Sequence, residues 1–124
     1  MAVIVVAEDE FLLADMLVIS LEDAGHSVFA APNGKAALAA AIEHNADLII
    51  TDFMMPVWTG LEFATAVRQT AGISDVPIIL VSGAQASIAR GHPEIFDAVV
   101  DKPYALEGLL ELVERLLRDG RGGD

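Results

Sequence analysis

Glu8 and Asp9 follow the apolar run VIVVA, and Asp52 follows DLIIT. Ser82 follows PIILV, and Lys102 follows DAVVD. Each polar residue therefore stands just past a short β-branched segment. Brought together, the three carboxylates repel one another and raise each other's pKa, and burying an uncompensated carboxylate is costly. A hard divalent cation resolves the conflict. Mg²⁺ takes octahedral oxygen ligands, typically one or two carboxylates, waters and a phosphate. A carboxylate beside such an ion and an ammonium can act as a nucleophile and carry an acyl phosphate. The Lys102 ammonium and Ser82 hydroxyl would then neutralise or hydrogen-bond the phosphoryl oxygens. Phosphoryl transfer needs little beyond such positioning and charge stabilisation.

That chemistry requires a fold that gathers residues almost a hundred positions apart. VIVVA reads as a strand buried on both faces. FLLADMLVISLEDAG places Leu13, Met16, Leu17, Leu21 and Ala24 at helical spacing and stops at Gly25. SVFAA (27–31) is a second strand. The helix in PNGKAALAAAIEHN has Asn33 as its N-cap and Leu38, Ala41 and Ile42 as its core stripe. DLIIT (47–51) is a third strand, and the loop DFMMPVWTG leads into a helix over about 61–70. PIILV (77–81) is a fourth strand, followed by a helix over about 84–91 that is interrupted near GHP. DAVVD (97–101) is the fifth strand. The last helix, about 105–118, carries the stripe Leu106, Leu109, Leu110, Val113, Leu116 and Leu117. Glu111–Arg115 and Glu114–Arg118 are i,i+4 pairs on its wet face.

Alternating strands and helices make an α/β fold with a parallel sheet. Right-handed crossovers leave few topologies. A doubly wound, flavodoxin-like order 2-1-3-4-5 suits this length and puts the switch point between strands 1 and 3. Ligands in such sheets bind outside the carboxyl ends of the strands at that point. Glu8, Asp9 and Asp52 are thus expected in one crevice, with Ser82 and Lys102 beside it. Without a metal the acids should cost stability, so Asp9→Asn or Asp52→Asn is expected to stabilise the metal-free domain.

The 124 residues fit one domain with a real core, and a chain 54% hydrophobic is globular rather than disordered. No apolar run reaches the roughly 18 residues of a membrane span, and the N-terminus lacks the basic region of a signal peptide. The absence of cysteine rules out disulfides and thiol chemistry. These features fit the cytoplasm. Seven basic against 19 acidic residues give a net charge of −12, which disfavours nucleic acid and anionic membranes as partners and favours metal ions or a basic protein surface. His26, His44 and His92 are far apart and read as surface or packing residues. Glu10 reads as a helix-start acid, Asp101 as lying outside the site, Trp58 as packing over its own loop, and Met54 and Met55 as space-filling.

The motifs EDE after strand 1, DFMMPVWTG after strand 3, VSGA after strand 4 and DKPY before the last helix stand in order, each at a strand end. In this the chain resembles the receiver domains of the response-regulator family of two-component signalling, over about residues 2–118. The resemblance implies a receiver domain over 1–118, chemotaxis-regulator-like and standing alone, with a flexible glycine-rich tail over 119–124. It implies that Asp52 is the phosphoacceptor, with a histidine kinase or histidine phosphotransfer protein as donor. Asp9 would bind Mg²⁺ directly, Glu8 directly or through water, and Met54 through its backbone carbonyl. Ser82 would be the switch hydroxyl and Lys102 its partner. A cis Lys102–Pro103 peptide would shape the next turn, and Pro56 and Gly60 the loop after Asp52. Output would pass by protein contact through the fourth helix, fifth strand and last helix to a downstream protein. No enzymatic activity is implied beyond self-phosphotransfer and slow self-dephosphorylation.

The chain departs from the family in one respect. Three residues before the lysine, where many receivers carry Tyr or Phe, stands Val99. Met54 and Ala84 occupy the positions whose side chains tune phosphoryl lifetime in the family, and neither holds a hydrolytic water. Two other readings are a docking module indifferent to phosphorylation and a receiver cut from a larger regulator or hybrid kinase. A flavodoxin would need a hydroxyl-rich phosphate loop where this chain has acids. A haloacid-dehalogenase-type phosphatase would need an Asp where Met54 stands.

Overall fold

The computed structural model describes residues 2–83 and 86–121. The elements run β1 (Val3–Ala7), α1 (Phe11–Asp23), β2 (Ser27–Ala31), α2 (Gly34–His44), β3 (Leu48–Asp52), α3 (Gly60–Arg68), β4 (Ile78–Ser82), α4 (Ala86–Arg90), β5 (Ala98–Asp101) and α5 (Leu106–Asp119). The strands form one parallel sheet in the order β2-β1-β3-β4-β5. The expected doubly wound topology is therefore the observed one. β3 and β4 each run one residue further than the sequence reading, so Asp52 and Ser82 are the last residues of their strands.

Alternation along the buried strands divides the core. Val5, Ala7, Ile49, Ile78 and Leu80 face α2, α3 and α4 through Ala37, Ala41, Phe63, Val67 and Ala89. Ile4, Val6, Leu48, Ile50, Ile79 and Val81 face α1 and α5 through Leu17, Leu21, Leu109, Val113 and Leu116. Both faces are covered, as β-branched and leucine-rich parallel strands require.

Two helix stripes need correction. In α1 the buried positions are Ala14, Leu17 and Leu21, whereas Met16 is 54% exposed and Ala24 lies on the surface. In α2 they are Gly34, Ala37 and Ala41, and Ile42 is 49% exposed. Small buried residues, Ala14 in α1 and Gly34, Ala37 and Ala41 in α2, let each helix lie close to the sheet, and Met16 and Ile42 turn outward. The α5 stripe stands, with Leu109, Val113 and Leu116 at its centre. Neither expected surface pair, Glu111–Arg115 or Glu114–Arg118, forms an ion pair among the described residues. Glu114 instead meets His26 Nε2 at 2.7 Å, and Arg118 meets Asp119 at 3.3 Å.

α4 covers only 86–90 of the helix expected over about 84–91, whose first two positions lie outside the described residues. The described chain continues past 118 to residue 121. α5 includes Asp119, Gly120 turns the chain at φ 76°, and Arg121 donates to Asp97 at 2.9 Å. Residues 122–124 lie outside the description.

Asn33 caps α2 as expected, accepting from the Ala36 N–H at 2.8 Å. Asn33→Ala should lower stability by about 1 kcal/mol, read as a shifted urea midpoint with an unchanged slope. The histidines have the surface or packing roles expected of them. His26 bridges Ala2 and Glu114, His44 stacks on Phe29 at 3.7 Å, and His92 meets Glu94.

Candidate phosphoacceptor site

The parallel register sets the site. Ala7 pairs with Thr51, and Asp52 with Val81, so the ends of β1, β3 and β4 are adjacent. Glu8 and Asp9 leave β1 beside Asp52, and one carboxylate oxygen from each of the three lies within 4.8 Å of the others. Glu8 and Asp52 are buried and Asp9 is exposed. Lys102 is drawn in by its N–H, which donates to the Ser82 carbonyl at 2.9 Å. Its Nζ lies 3.3 Å from Asp52 Oδ1 and 3.9 Å from Glu8 Oε1. The sequence-predicted residues Glu8, Asp9, Asp52, Ser82 and Lys102 are thus gathered at one edge of the sheet.

Three acids face one ammonium. At an effective dielectric of about 20, like charges at this spacing repel by about 3 kcal/mol per pair. The strain falls on Glu8. Burial, helped by the Asp52 charge, pushes its pKa up to about 7, although the Glu10 N–H and Lys102 pull the other way. Burial opposes the Lys102 charge, but Asp52 and Glu8 outweigh it and hold its pKa above the ordinary lysine range. Ser82 is buried, and its Oγ has no hydrogen-bond partner among the described residues. A buried hydroxyl of this kind is costly unless something satisfies it. Oxygen-only donors, surplus negative charge and this unpaired hydroxyl fit a hard cation together with an oxyanion. They do not fit a soft metal.

The loop after Asp52 is held by close backbone approach. The Gly60 N–H donates to the Phe53 carbonyl at 2.7 Å. A Cβ on Gly60 would collide with the Asp52 carbonyl oxygen and lie 2.9 Å from Phe53 Cα. The capping box of α3 then fixes the helix start: Glu62 N–H donates to Thr59 Oγ1, and Thr59 N–H to Glu62. TGLE carries that capping signature in the sequence. Val57 sits at φ 77° while the Trp58 N–H donates to the Pro56 carbonyl at 2.9 Å. This is a strained γ-turn, rare for a β-branched residue. No sequence signal marks it.

Trp58 packs against Gly34, with Lys35 Nζ 5.7 Å from its ring. The Met54 side chain is 57% exposed. Ala84 lies outside the described residues. The Lys102–Pro103 peptide is cis. Asp101 points away from the site and pairs with Arg90 at 2.9 Å.

Comparison with known proteins agrees with this geometry. Residues 4–114 match the response regulator receiver domain family. The chain is 28% identical over 123 residues to the phosphate regulon transcriptional regulatory protein PhoB of Pseudomonas aeruginosa, covering 98% of this chain and 54% of that protein. It is 32% identical to the sensory transduction protein RegX3 of Mycobacterium bovis, covering 100% of this chain and 53% of that protein. The chain therefore spans about half the length of these curated relatives. Among solved structures, chemotaxis response regulator CheY4 of Vibrio cholerae matches with TM-score 0.84 and 32% identity, covering 94% of this chain and 98% of that one. TrrA of Thermotoga maritima, solved with Mg²⁺–BeF, matches with TM-score 0.81 and 32% identity, covering 94% and 99%. By sequence, topology and the placement of its acids, hydroxyl and lysine, the chain belongs to the response regulator receiver domain family.

Proposed function

We propose that this domain is a signalling switch controlled by phosphorylation of Asp52. The observation that carries the reading is the Asp52 carboxylate, buried at the sheet edge 3.3 Å from Lys102 Nζ and grouped with Glu8 and Asp9. An Asp52 oxygen attacks the phosphorus of a phospho-histidine donor. The O–P bond forms as the P–N bond breaks, and the imidazole leaves and takes up a proton. Lys102 neutralises the acyl phosphate, and the unpaired Ser82 hydroxyl donates to one of its oxygens. Asp9, Glu8, Asp52 and the Met54 carbonyl would hold Mg²⁺, which supplies charge neutralisation for both the acids and the phosphoryl group. Mg²⁺ in the solved TrrA complex supports this assignment.

The outward face of α1 supports a protein donor. Phe11, Leu12, Met16 and Ile19 are 54–77% exposed on a helix that starts beside the acid crevice. A histidine kinase or histidine phosphotransfer protein fits that surface. No helix among the described residues is long and apolar enough to cross a membrane. Output by contact with a downstream protein, action without any further enzymatic activity and a cytoplasmic setting complete the reading.

The test follows Trp58 fluorescence during addition of Mg²⁺ and then beryllofluoride. Saturable responses to both are expected in the wild type, with the beryllofluoride response lost in Asp52→Asn. The reading fails if neither ligand changes the signal, or if Asp52→Asn responds like the wild type. Slow self-dephosphorylation is also expected, since the exposed Met54 side chain has no group to hold a water. The acyl phosphate should outlast minutes without a phosphatase. A half-life of seconds contradicts this.

A further inference from the structure

Val99 leaves open how an event at Asp52 changes the rest of the domain. Its short branched side chain is half-buried against the cluster on the α2–α4 side of the sheet. Tyr104, the lone tyrosine, packs on the opposite side, against the α1–α5 cluster. It lies two residues after Lys102. It also lines an open-sided apolar cavity of about 380 Å³ with Leu13, Met16, Leu17, Pro103 and Leu106, and Lys102 is at the rim. Roughly 150 Å³ suffices for a benzene ring, so there is room for the phenol to move. No hydrogen bond among the described residues holds its hydroxyl.

We propose that Tyr104 has two positions and moves further into the α1 cavity when Lys102 shifts onto a phosphoryl group at Asp52. The inference rests on the reading of Asp52 as the phosphoacceptor. The coupling is through the chain. Lys102 is shared by Asp52 and Glu8 in the resting site, and a phosphoryl group with more negative charge draws it away from Glu8. Residues 103 and 104 follow. The phenol already lies in the field of the site: burial raises its pKa, and the Glu8 and Asp52 charges raise it further against Lys102. The movement remodels the cavity lining at Leu13 and at Met16, the latter on the face where the donor would dock, rather than the α4 side. Phosphorylation would thereby loosen the donor.

The experiment uses the whole chain with ¹³C-labelled tyrosine and methionine methyls, with Met16 assigned through Met16→Leu. Mg²⁺ is added first, then beryllofluoride, while Trp58 fluorescence is followed on the same samples. The Tyr104 ring and Met16 methyl resonances should shift on beryllofluoride addition. In Tyr104→Leu, which keeps an apolar side chain, Trp58 should still respond while the Met16 shift is lost. A Trp58 response with Tyr104 and Met16 unmoved overturns the Tyr104 role alone, as does an undiminished Met16 shift in Tyr104→Leu. Silence at all three probes overturns the phosphoacceptor reading, and this inference with it.

Discussion

Gly60→Ala should destabilise the domain by about 3 kcal/mol, the upper range for forcing an atom into filled space. The added Cβ meets the Asp52 carbonyl oxygen and Phe53 Cα, with Leu80 Cδ1 at 3.0 Å on a third side. Two of these neighbours are backbone, and the third is a fully buried side chain, so none can give cheaply. Relief of the clash moves Gly60 away from Asp52 and Phe53, which strains the Gly60 N–H to Phe53 carbonyl bond at 2.7 Å and the backbone that holds Asp52. Stability and phosphoryl-mimic binding should therefore fall together. Urea unfolding and beryllofluoride titration of Trp58 fluorescence check this. Gly108→Ala serves as control, because its Cβ would meet nothing within 4 Å and it sits inside α5, where alanine is favoured over glycine. A Gly60→Ala protein as stable as the wild type would show that the loop relaxes freely.

Metal-free stability should fall as pH rises from about 4.5 to about 7, and then level off. The Glu8 pKa stands near 7 in the folded domain against an ordinary 4.5. Within that window the folded protein keeps a proton that the unfolded chain has already lost. Raising the pH removes that proton and leaves a buried, ionised Glu8 beside Asp52. The loss amounts to about 3 kcal/mol when the window is crossed completely. Glu8→Gln should flatten the profile and raise stability above the window, since the amide oxygen can still accept the Glu10 N–H seen at 3.1 Å. Added Mg²⁺ should restore wild-type stability at the alkaline end and do less for Glu8→Gln. Melting temperatures across pH, with and without Mg²⁺, give the answer. A metal-free profile that is flat or rises through the window would show that burial does not strain Glu8. The gain expected for Asp52→Asn is smaller than charge counting alone implies, because the change also strips Lys102 of its nearest partner. Asp9→Asn has no such offset.

The positions of the chemistry were legible in the sequence because they hang on strand ends. A short β-branched run between turn signals reads as a strand, and in a parallel sheet the residue after it emerges at the carboxyl edge. That rule placed Glu8, Asp9, Asp52, Ser82 and Lys102 at strand ends, and the alternation of strands and helices gave the topology that gathers them. Asn33 was equally local, since a cap is satisfied within its own turn.

What the sequence left undecided depends on contacts between distant segments. Met16 and Ile42 fit a helical stripe as well as their neighbours do. Only the close seating of α1 and α2 on the sheet, through Ala14, Ala37 and Ala41, turned them outward. Glu114 had an i,i+4 partner in sequence and a better one in His26, eighty-eight residues away. Arg121 follows a glycine and looks free until Asp97 is brought beneath it. The Val57 turn runs against its own propensity and exists because both ends of the loop are pinned. The shared strain of the acids, the orphaned Ser82 hydroxyl and the Tyr104 cavity likewise arise only when separate elements meet. Residue type and period determined which groups this protein has and the edge at which they appear, because those signals are local. Tertiary packing decided which of them are strained, unpaired or free to move, because those properties belong to neighbours far apart in the chain.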